Sequence, residues 1–148
     1  MNTAPTAGTL RVVCPRCDTA NRVASGRLAQ DPACGQCKAP LFPRHAYELT
    51  RATFERQAGS DTLLVVDCWA AWCGPCRAMA PAFEEAARRA PSGVRLAKLD
   101  TEAEQEIAGR LGIRAIPTLI AFRGGREIAR QSGALSLPQL VQWIERHA

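Results

Sequence analysis

Apolar residues along this chain fall into blocks with two different periods. Leu63, Leu64, Val65 and Val66 sit inside Thr62–Trp69, a stretch with almost no polar interruption. Such a run predicts a strand covered on both faces, placed centrally in a parallel sheet. After position 73 the period lengthens, and Met79, Phe83, Ala86 and Ala87 share one side of a helix. Pro81 lies inside that helix and should bend it. Val94–Asp100 reads as the next strand, reached by a right-handed crossover. Thr101 and Glu104 have capping-box spacing ahead of Ile107 and Leu111, with Gly112 as the stop. Thr118–Phe122 and Glu127–Gln131, joined through Gly124-Gly125, predict an antiparallel hairpin. Ser136 and Gln139 open a last amphipathic helix with Leu140, Val141 and Ile144 inward. Upstream, Ala46–Leu49 predicts a short strand, followed by a helix that Thr50 caps and Gly59 ends. From position 46 the order is therefore β-α-β-α-β-α-β-β-α.

The first forty-odd residues follow neither period. Residues 1–9 read as a flexible lead. Residues 10–40 carry two short knuckles, Cys14-Pro15-Arg16-Cys17 and Cys34-Gly35-Gln36-Cys37, joined by a polar span whose core candidates are Val23 and Leu28. So little apolar material cannot fold unaided, and a structural metal remedies that. The pattern C-x2-C-x16-C-x2-C has the spacing of a tetrahedral sulfur site, so one zinc ion on Cys14, Cys17, Cys34 and Cys37 is expected. Iron could occupy the same four-sulfur geometry, but zinc is the expected ion, and two disulfides suit a reducing cytosol poorly. Pro40 and Pro43 mark a linker, giving expected domains at 1–43 and 44–148.

Composition changes this picture little: 47% of the 148 residues are apolar and 22% charged, as in an ordinary globular protein. No run approaches the roughly 20 apolar residues of a membrane span. The first residues lack a basic segment followed by an apolar one, so a cytoplasmic chain is expected. The net charge of +5 is concentrated in residues 1–45, where six Arg or Lys face two acids. Four thiolates around a zinc ion would cut that local +4 to about +2. With Phe42 the sole aromatic there, the footprint argues against nucleic acid.

The remaining chemistry sits at Trp72-Cys73-Gly74-Pro75-Cys76. Two thiols three positions apart, between a buried strand and a helix start, read as a redox dithiol. The spacing puts both on one side of the first turn, close enough for an unstrained disulfide. Pro75 pre-sets helical φ where its missing N–H costs nothing, and Gly74 lets another backbone approach. Cys73 begins the helix, where free N–H groups favour a thiolate, so it is the expected nucleophile. Cys76, one turn in, is expected to resolve. Asp67 lies within the apolar run, so burial should raise its carboxyl towards neutrality, as a base for Cys76 requires. Lys98 is one of only two lysines, the other being Lys38. Cys68 is expected to be buried and inert.

These residues resemble the thioredoxin family over roughly residues 46–148. The matches are Asp67 through Cys76, Pro81, Ala97-Lys98-Leu99-Asp100, Ile116-Pro117-Thr118 and Gly133-Ala134. With its four extra cysteines, the chain is similar to the zinc-bearing second type of bacterial thioredoxin. The resemblance implies an α/β thioredoxin fold, a mixed sheet flanked by helices, with a small zinc-ribbon-like module in front. It implies a cis Ile116-Pro117 bond, and a docking groove formed by Trp72, Gly74, Pro75, Ile116, Pro117, Gly133 and Ala134. It also implies a buried proton acceptor at Asp67 with Lys98 near it.

The expected function is therefore reduction of protein disulfides by a Cys73–Cys76 couple in a monomeric chain. Electrons would come from NADPH through a flavoprotein thioredoxin reductase and pass to oxidised proteins. The chain itself should hold neither nicotinamide nor flavin, since it has no G-x-G-x-x-G fingerprint. Two other readings stand beside this one. An oxidase or isomerase would differ in potential, which the Gly-Pro between the cysteines tunes. A zinc-module interaction or redox-sensing protein would use the dithiol only as a switch.

Overall fold

The computed structural model describes residues 8–148, so the first seven residues of the expected lead lie outside the described residues. Thr9–Val13 (β1) and Ala20–Ala24 (β2) pair as an antiparallel hairpin, with Leu10 opposite Val23 and Val12 opposite Asn21. The polar span read in the sequence between the knuckles thus contains a strand, β2, that the sequence reading lacks. A 3-10 turn over Ser25–Gln30 follows it. Val12, Val23, Leu41, Cys14 and Cys34 make the hairpin's own small core, with Leu28 packed against it.

The rest of the chain builds a five-stranded sheet. Its strands are Tyr47–Glu48 (β3), Leu63–Trp69 (β4), Val94–Asp100 (β5), Thr118–Arg123 (β6) and Arg126–Ser132 (β7). The helices are Phe54–Ala58 (α1), Gly74–Arg88 (α2), Gln105–Arg110 (α3) and Leu137–His147 (α4). The strands lie in the order β3-β5-β4-β6-β7. β3 and β4 run parallel to β5, while β6 is antiparallel to both β4 and β7. The sheet is thus mixed, and β4 is central with one parallel neighbour and one antiparallel.

Two layers of helices explain why β4 is apolar on both faces, Asp67 excepted. Leu63 and Val65 face Met79 and Phe83 of α2 and Leu140, Trp143 and Ile144 of α4. Leu64, Val66 and Cys68 face the other way, towards Phe54 and Ala58 of α1 and Ile107 of α3. Fully burying each such side chain contributes about 1.5–3 kcal/mol. Helix α2 runs unbroken through Pro81.

Three local expectations need correction. The capping box at Thr101 and Glu104 does not form. Asp100 Oδ1 accepts the Glu102 and Ala103 N–H groups instead, and Thr101 Oγ1 donates to Trp69 O at 3.0 Å. The helix accordingly starts later, at Gln105. Thr50 offers its carbonyl rather than its hydroxyl to the following turn, accepting Phe54 N at 2.9 Å. In α4 the third inward residue is Trp143, with Val141 half-buried at the margin. The Ser136–Gln139 capping box is present, and Gly124 and Gly125 turn the β6–β7 hairpin at φ +61° and +82°.

The zinc-ribbon-like hairpin docks on the sheet at the end where β4 begins. Asp61 N donates to Arg11 O, and Arg11 N donates back to the Asp61 carboxylate Oδ2, both at 2.8 Å. Val13 N donates to Ser60 Oγ at 3.0 Å, and Gln57 Nε2 donates to Cys14 O at 2.8 Å. Gln57, Ser60 and Arg95 are buried polar residues that this contact covers.

Candidate functional site

Cys73 and Cys76 are joined as a disulfide at the start of α2, with Cα atoms 5.3 Å apart. Cys73 occupies the N-cap in extended conformation, and its Sγ accepts the Cys76 backbone N–H at 3.2 Å. The helix therefore aims a donor at the sulfur expected to carry negative charge. Cys73 Sγ also lies 3.7 Å from Ile116 O. Ala70, Cys73 and Cys76 form one buried cluster against which Trp69 and Ile116 pack.

The Ile116-Pro117 bond is cis. Pro117 O accepts Gly133 N at 2.8 Å, where Gly133 has φ +97°, so the proline loop is tied to the start of the Gly133-Ala134 turn. Trp72 is 68% exposed and lines an open groove with Ile113, Ala115 and Ile116. Gly133 and Ala134 are exposed but do not line that groove, and Gly74 and Pro75 are exposed beside the disulfide.

Asp67 is completely buried, and neither of its carboxylate oxygens has a hydrogen-bond partner among the described residues. Burial pushes its carboxyl from 3.8 up to about 7, against the downward pull of Lys98 and with a further push from Glu48. By strand alternation it leaves the sheet on the face that α2 covers, and Cys76 is among the residues α2 turns inward. Lys98 pairs with Asp67 in register, and its Nζ sits 4.4 Å from the centre of the Trp69 ring. Cys68 points to the opposite face, and burial pushes its thiol up to about 12.

The four sulfurs of Cys14, Cys17, Cys34 and Cys37 all lie within 4.8 Å of one another. Zinc–sulfur bonds of about 2.3 Å in a tetrahedron place sulfurs about 3.8 Å apart, so the set fits a zinc ion. The knuckles also supply donors to thiolate sulfur. Arg16 N donates to Cys14 Sγ at 3.4 Å and Gln36 N to Cys34 Sγ at 3.3 Å. Asn21 Nδ2 lies 3.5 Å from Cys34 Sγ while its Oδ1 accepts Gly35 N, so one amide orients the second knuckle. Donors from Cys37 N–H and then Asn21 lower the Cys34 thiol to about 6, whereas burial raises Cys14 to about 12. Asn21 has no signal in the sequence beyond its place between the knuckles. Glu48, which faces Lys98, has none either.

Comparison with known proteins agrees with this geometry. The thioredoxin family model matches residues 45–146, and the model for the N-terminal zinc ribbon of thioredoxin 2 matches residues 13–39. Thioredoxin C-3 of Corynebacterium nephridii is 41% identical over 136 residues, covering 91% of this chain and 93% of that protein. Thioredoxin of Alicyclobacillus acidocaldarius is 45% identical over 92 residues, covering 62% of this chain and 88% of that one. Among solved structures, Malassezia sympodialis thioredoxin superposes with a TM-score of 0.64 at 34% identity, covering 71% of this chain and 93% of that one. The chain accordingly belongs to the thioredoxin family, as a thioredoxin of the second type with an N-terminal four-cysteine zinc ribbon.

Proposed function

We propose that this thioredoxin reduces protein disulfides with Cys73 as nucleophile, Cys76 as resolving thiol and Asp67 as proton acceptor. In the reduced protein the Cys73 thiolate attacks a substrate disulfide. A Cys73–substrate bond forms, the substrate S–S bond breaks, and the departing sulfur takes a proton. Cys76 then gives its proton to the Asp67 carboxylate and attacks Cys73 Sγ. That step closes the Cys73–Cys76 bond and releases the second substrate thiolate, so two electrons have moved from the dithiol to the substrate. Lys98 steadies the Asp67 anion before it takes the proton.

The observation that carries this reading is the position of Cys73, capping α2 with its sulfur against Cys76 N and Ile116 O. Trp72 and Ile116 would hold an extended substrate strand next to that sulfur, aided by Gly74, Pro75, Pro117, Gly133 and Ala134. Oxidised proteins are the substrates, a flavoprotein reductase is the electron donor, and the working compartment is the cytoplasm. No helix among the described residues is long and apolar enough to cross a membrane.

The domain boundary is set near residue 43, and one zinc ion would be held by Cys14, Cys17, Cys34 and Cys37. A structural role for the metal is favoured by where the hairpin docks. Ser60, which precedes β4, anchors the hairpin, whereas Cys73 follows the far end of β4. Seven strand residues separate these ends by about 20 Å. Direct exchange between the two sets of thiols is thus blocked by distance.

The test is a pulldown with Cys76→Ser, which should accumulate covalent mixed disulfides with substrate proteins, while Cys73→Ser traps nothing and loses turnover. Insulin reduction by Cys73→Ser at the wild-type rate would end the assignment.

A further inference from the structure

Lys98 stands between two carboxylates. Strand pairing sets Asp67 of β4 beside Lys98 of β5, and Lys98 beside Glu48 of β3. All three leave the sheet on the α2 face, because Val65, Leu96 and Ala46, each two residues from one of them, pack into the cluster that α2 covers. Exposure rises along this row: Asp67 is fully buried, Lys98 half-buried and Glu48 exposed at the sheet edge. With both Asp67 oxygens lacking a hydrogen-bond donor, the ammonium of Lys98 is the cation that register brings beside that carboxylate. Register sets Glu48 on its other side, while the ammonium itself rests over the Trp69 ring, 4.4 Å from the centre.

We propose that Glu48 is a positioning residue for the redox reaction, sharing Lys98 with Asp67 across the sheet and so setting how strongly the buried carboxylate holds a proton. This rests on the reading of Asp67 as the proton acceptor for Cys76. While Glu48 is ionised, it competes with Asp67 for the ammonium on the flexible Lys98 side chain, one anion being solvated and the other desolvated. Asp67 then holds its proton more firmly than it would beside an undivided cation, which suits a base working near neutral pH.

The electrostatics agree with the geometry. Lys98 pulls the Asp67 carboxyl down and Glu48 pushes it up; burial raises Glu48 itself, and Lys98 then lowers it. Other groups around the row are few. Asp100, two residues along β5, pushes Glu48 up. From α2 come Cys76 and Glu84, the latter accepting Ala46 N at 3.2 Å. On β6, the residue opposite Asp67 is the uncharged Leu119.

The test follows the Asp67 side-chain carboxyl by carbon NMR across pH 4–9 in the reduced, zinc-loaded protein. Glu48→Gln should move its midpoint down by about 0.2–0.7 pH unit, the scale of a solvent-screened ion pair. Placed in a Lys98→Met background, the same change should have less than half that effect. High salt should shrink it as well. A midpoint unmoved by Glu48→Gln overturns the proposal, and so does an equal shift with and without Lys98. The pH profile of mixed-disulfide resolution, recorded alongside, separates the two readings. If the NMR midpoint moves and the profile does not, the Glu48 coupling stands and the role of Asp67 as proton acceptor falls.

Discussion

The guanidinium of Arg95 reaches across the boundary between the two modules and donates to the carbonyl of Val13 at 2.5 Å. Arg95 belongs to β5 of the catalytic sheet, and Val13 ends the strand that leads into the zinc-ligand candidate Cys14. The same side chain donates to Ser60 Oγ at 2.7 Å and Gln57 Oε1 at 3.2 Å, and the Phe42 ring lies 5.9 Å from its centre. It is 0% exposed, and its acceptors are neutral oxygens. A buried cation held by neutral acceptors alone depends on every one of them.

Replacing Arg95 with Ala should therefore cost on the order of 3–5 kcal/mol of unfolding free energy, since it leaves a cavity, strips the Val13 carbonyl of its donor, and leaves Ser60 Oγ and Gln57 Oε1 with only Val13 N and the Tyr47 hydroxyl. Arg95→Lys should recover part of the loss. Urea unfolding of the zinc-loaded protein measures both, and amide exchange at Val13 should report loosening of the hairpin in Arg95→Ala. A loss under 1 kcal/mol would mean that the hairpin is only loosely seated.

Arg95 also shows where reading the sequence stops. The catalytic half is legible because its signals are local: the β4 run, the α2 period and the Gly124-Gly125 turn each act within a few residues. The redox pair and the four-cysteine pattern are legible for the same reason. Arg95 looks like an ordinary solvated interruption of β5 until another part of the chain, 82 residues away, covers it. The β1–β2 hairpin is hidden in a similar way. Val12 fills the hairpin's own core, while neighbouring Val13 is buried against the catalytic sheet, so the strand shows no alternation. The Thr101 capping box fails because Trp69 O competes for the hydroxyl, a partner from another strand. Long-range partners decided each of these.

Asp67 makes stability depend on pH in a defined direction. Its carboxyl sits at about 7 in the fold, against 3.8 ordinarily. Between those values the folded protein holds a proton that the unfolded chain releases, so stability falls as pH rises from about 4 to 7. The loss is complete above pH 7 and is on the order of 4 kcal/mol. Asp67→Asn should thus stabilise the oxidised protein by a few kcal/mol at pH 8 and leave it nearly unchanged at pH 4. The same variant should slow resolution of mixed disulfides by about tenfold or more. Urea unfolding at the two pH values, with stopped-flow reduction alongside, checks both.

Cys68 should behave as packing rather than chemistry. It is fully buried on the α1 and α3 side of β4, with its thiol pushed up to about 12 by burial first and by Asp67 second. Iodoacetamide at pH 8 should label Cys73 in the reduced, zinc-loaded protein and leave Cys68 unmodified until urea opens the sheet. Peptide mass mapping over time reads this directly. Labelling of Cys68 at a rate similar to Cys73 in the folded protein would show that the core opens there.

Removing zinc should separate the two ends of the molecule. The hairpin's core consists of Val12, Val23, Leu41 and two of the four cysteines, too little to stay ordered without its metal. A strong chelator at neutral pH should therefore abolish amide protection at Val12 and Val13 and release one zinc per chain. Gln57, Ser60 and Arg95 then lose their hairpin partners. If that interface contributes about 3 kcal/mol, the melting temperature should drop by roughly 6–12 °C. The redox pair, at the far end of β4, keeps its cap at α2 and its contact with Ile116. Insulin reduction at 25 °C should accordingly stay within about twofold of the loaded protein, because no catalytic group touches the hairpin. Calorimetry and the reduction assay on one chelated sample decide the matter. A collapse of activity while the catalytic sheet remains folded would give the hairpin a part in the reaction, and a purely structural role for the metal would no longer describe it.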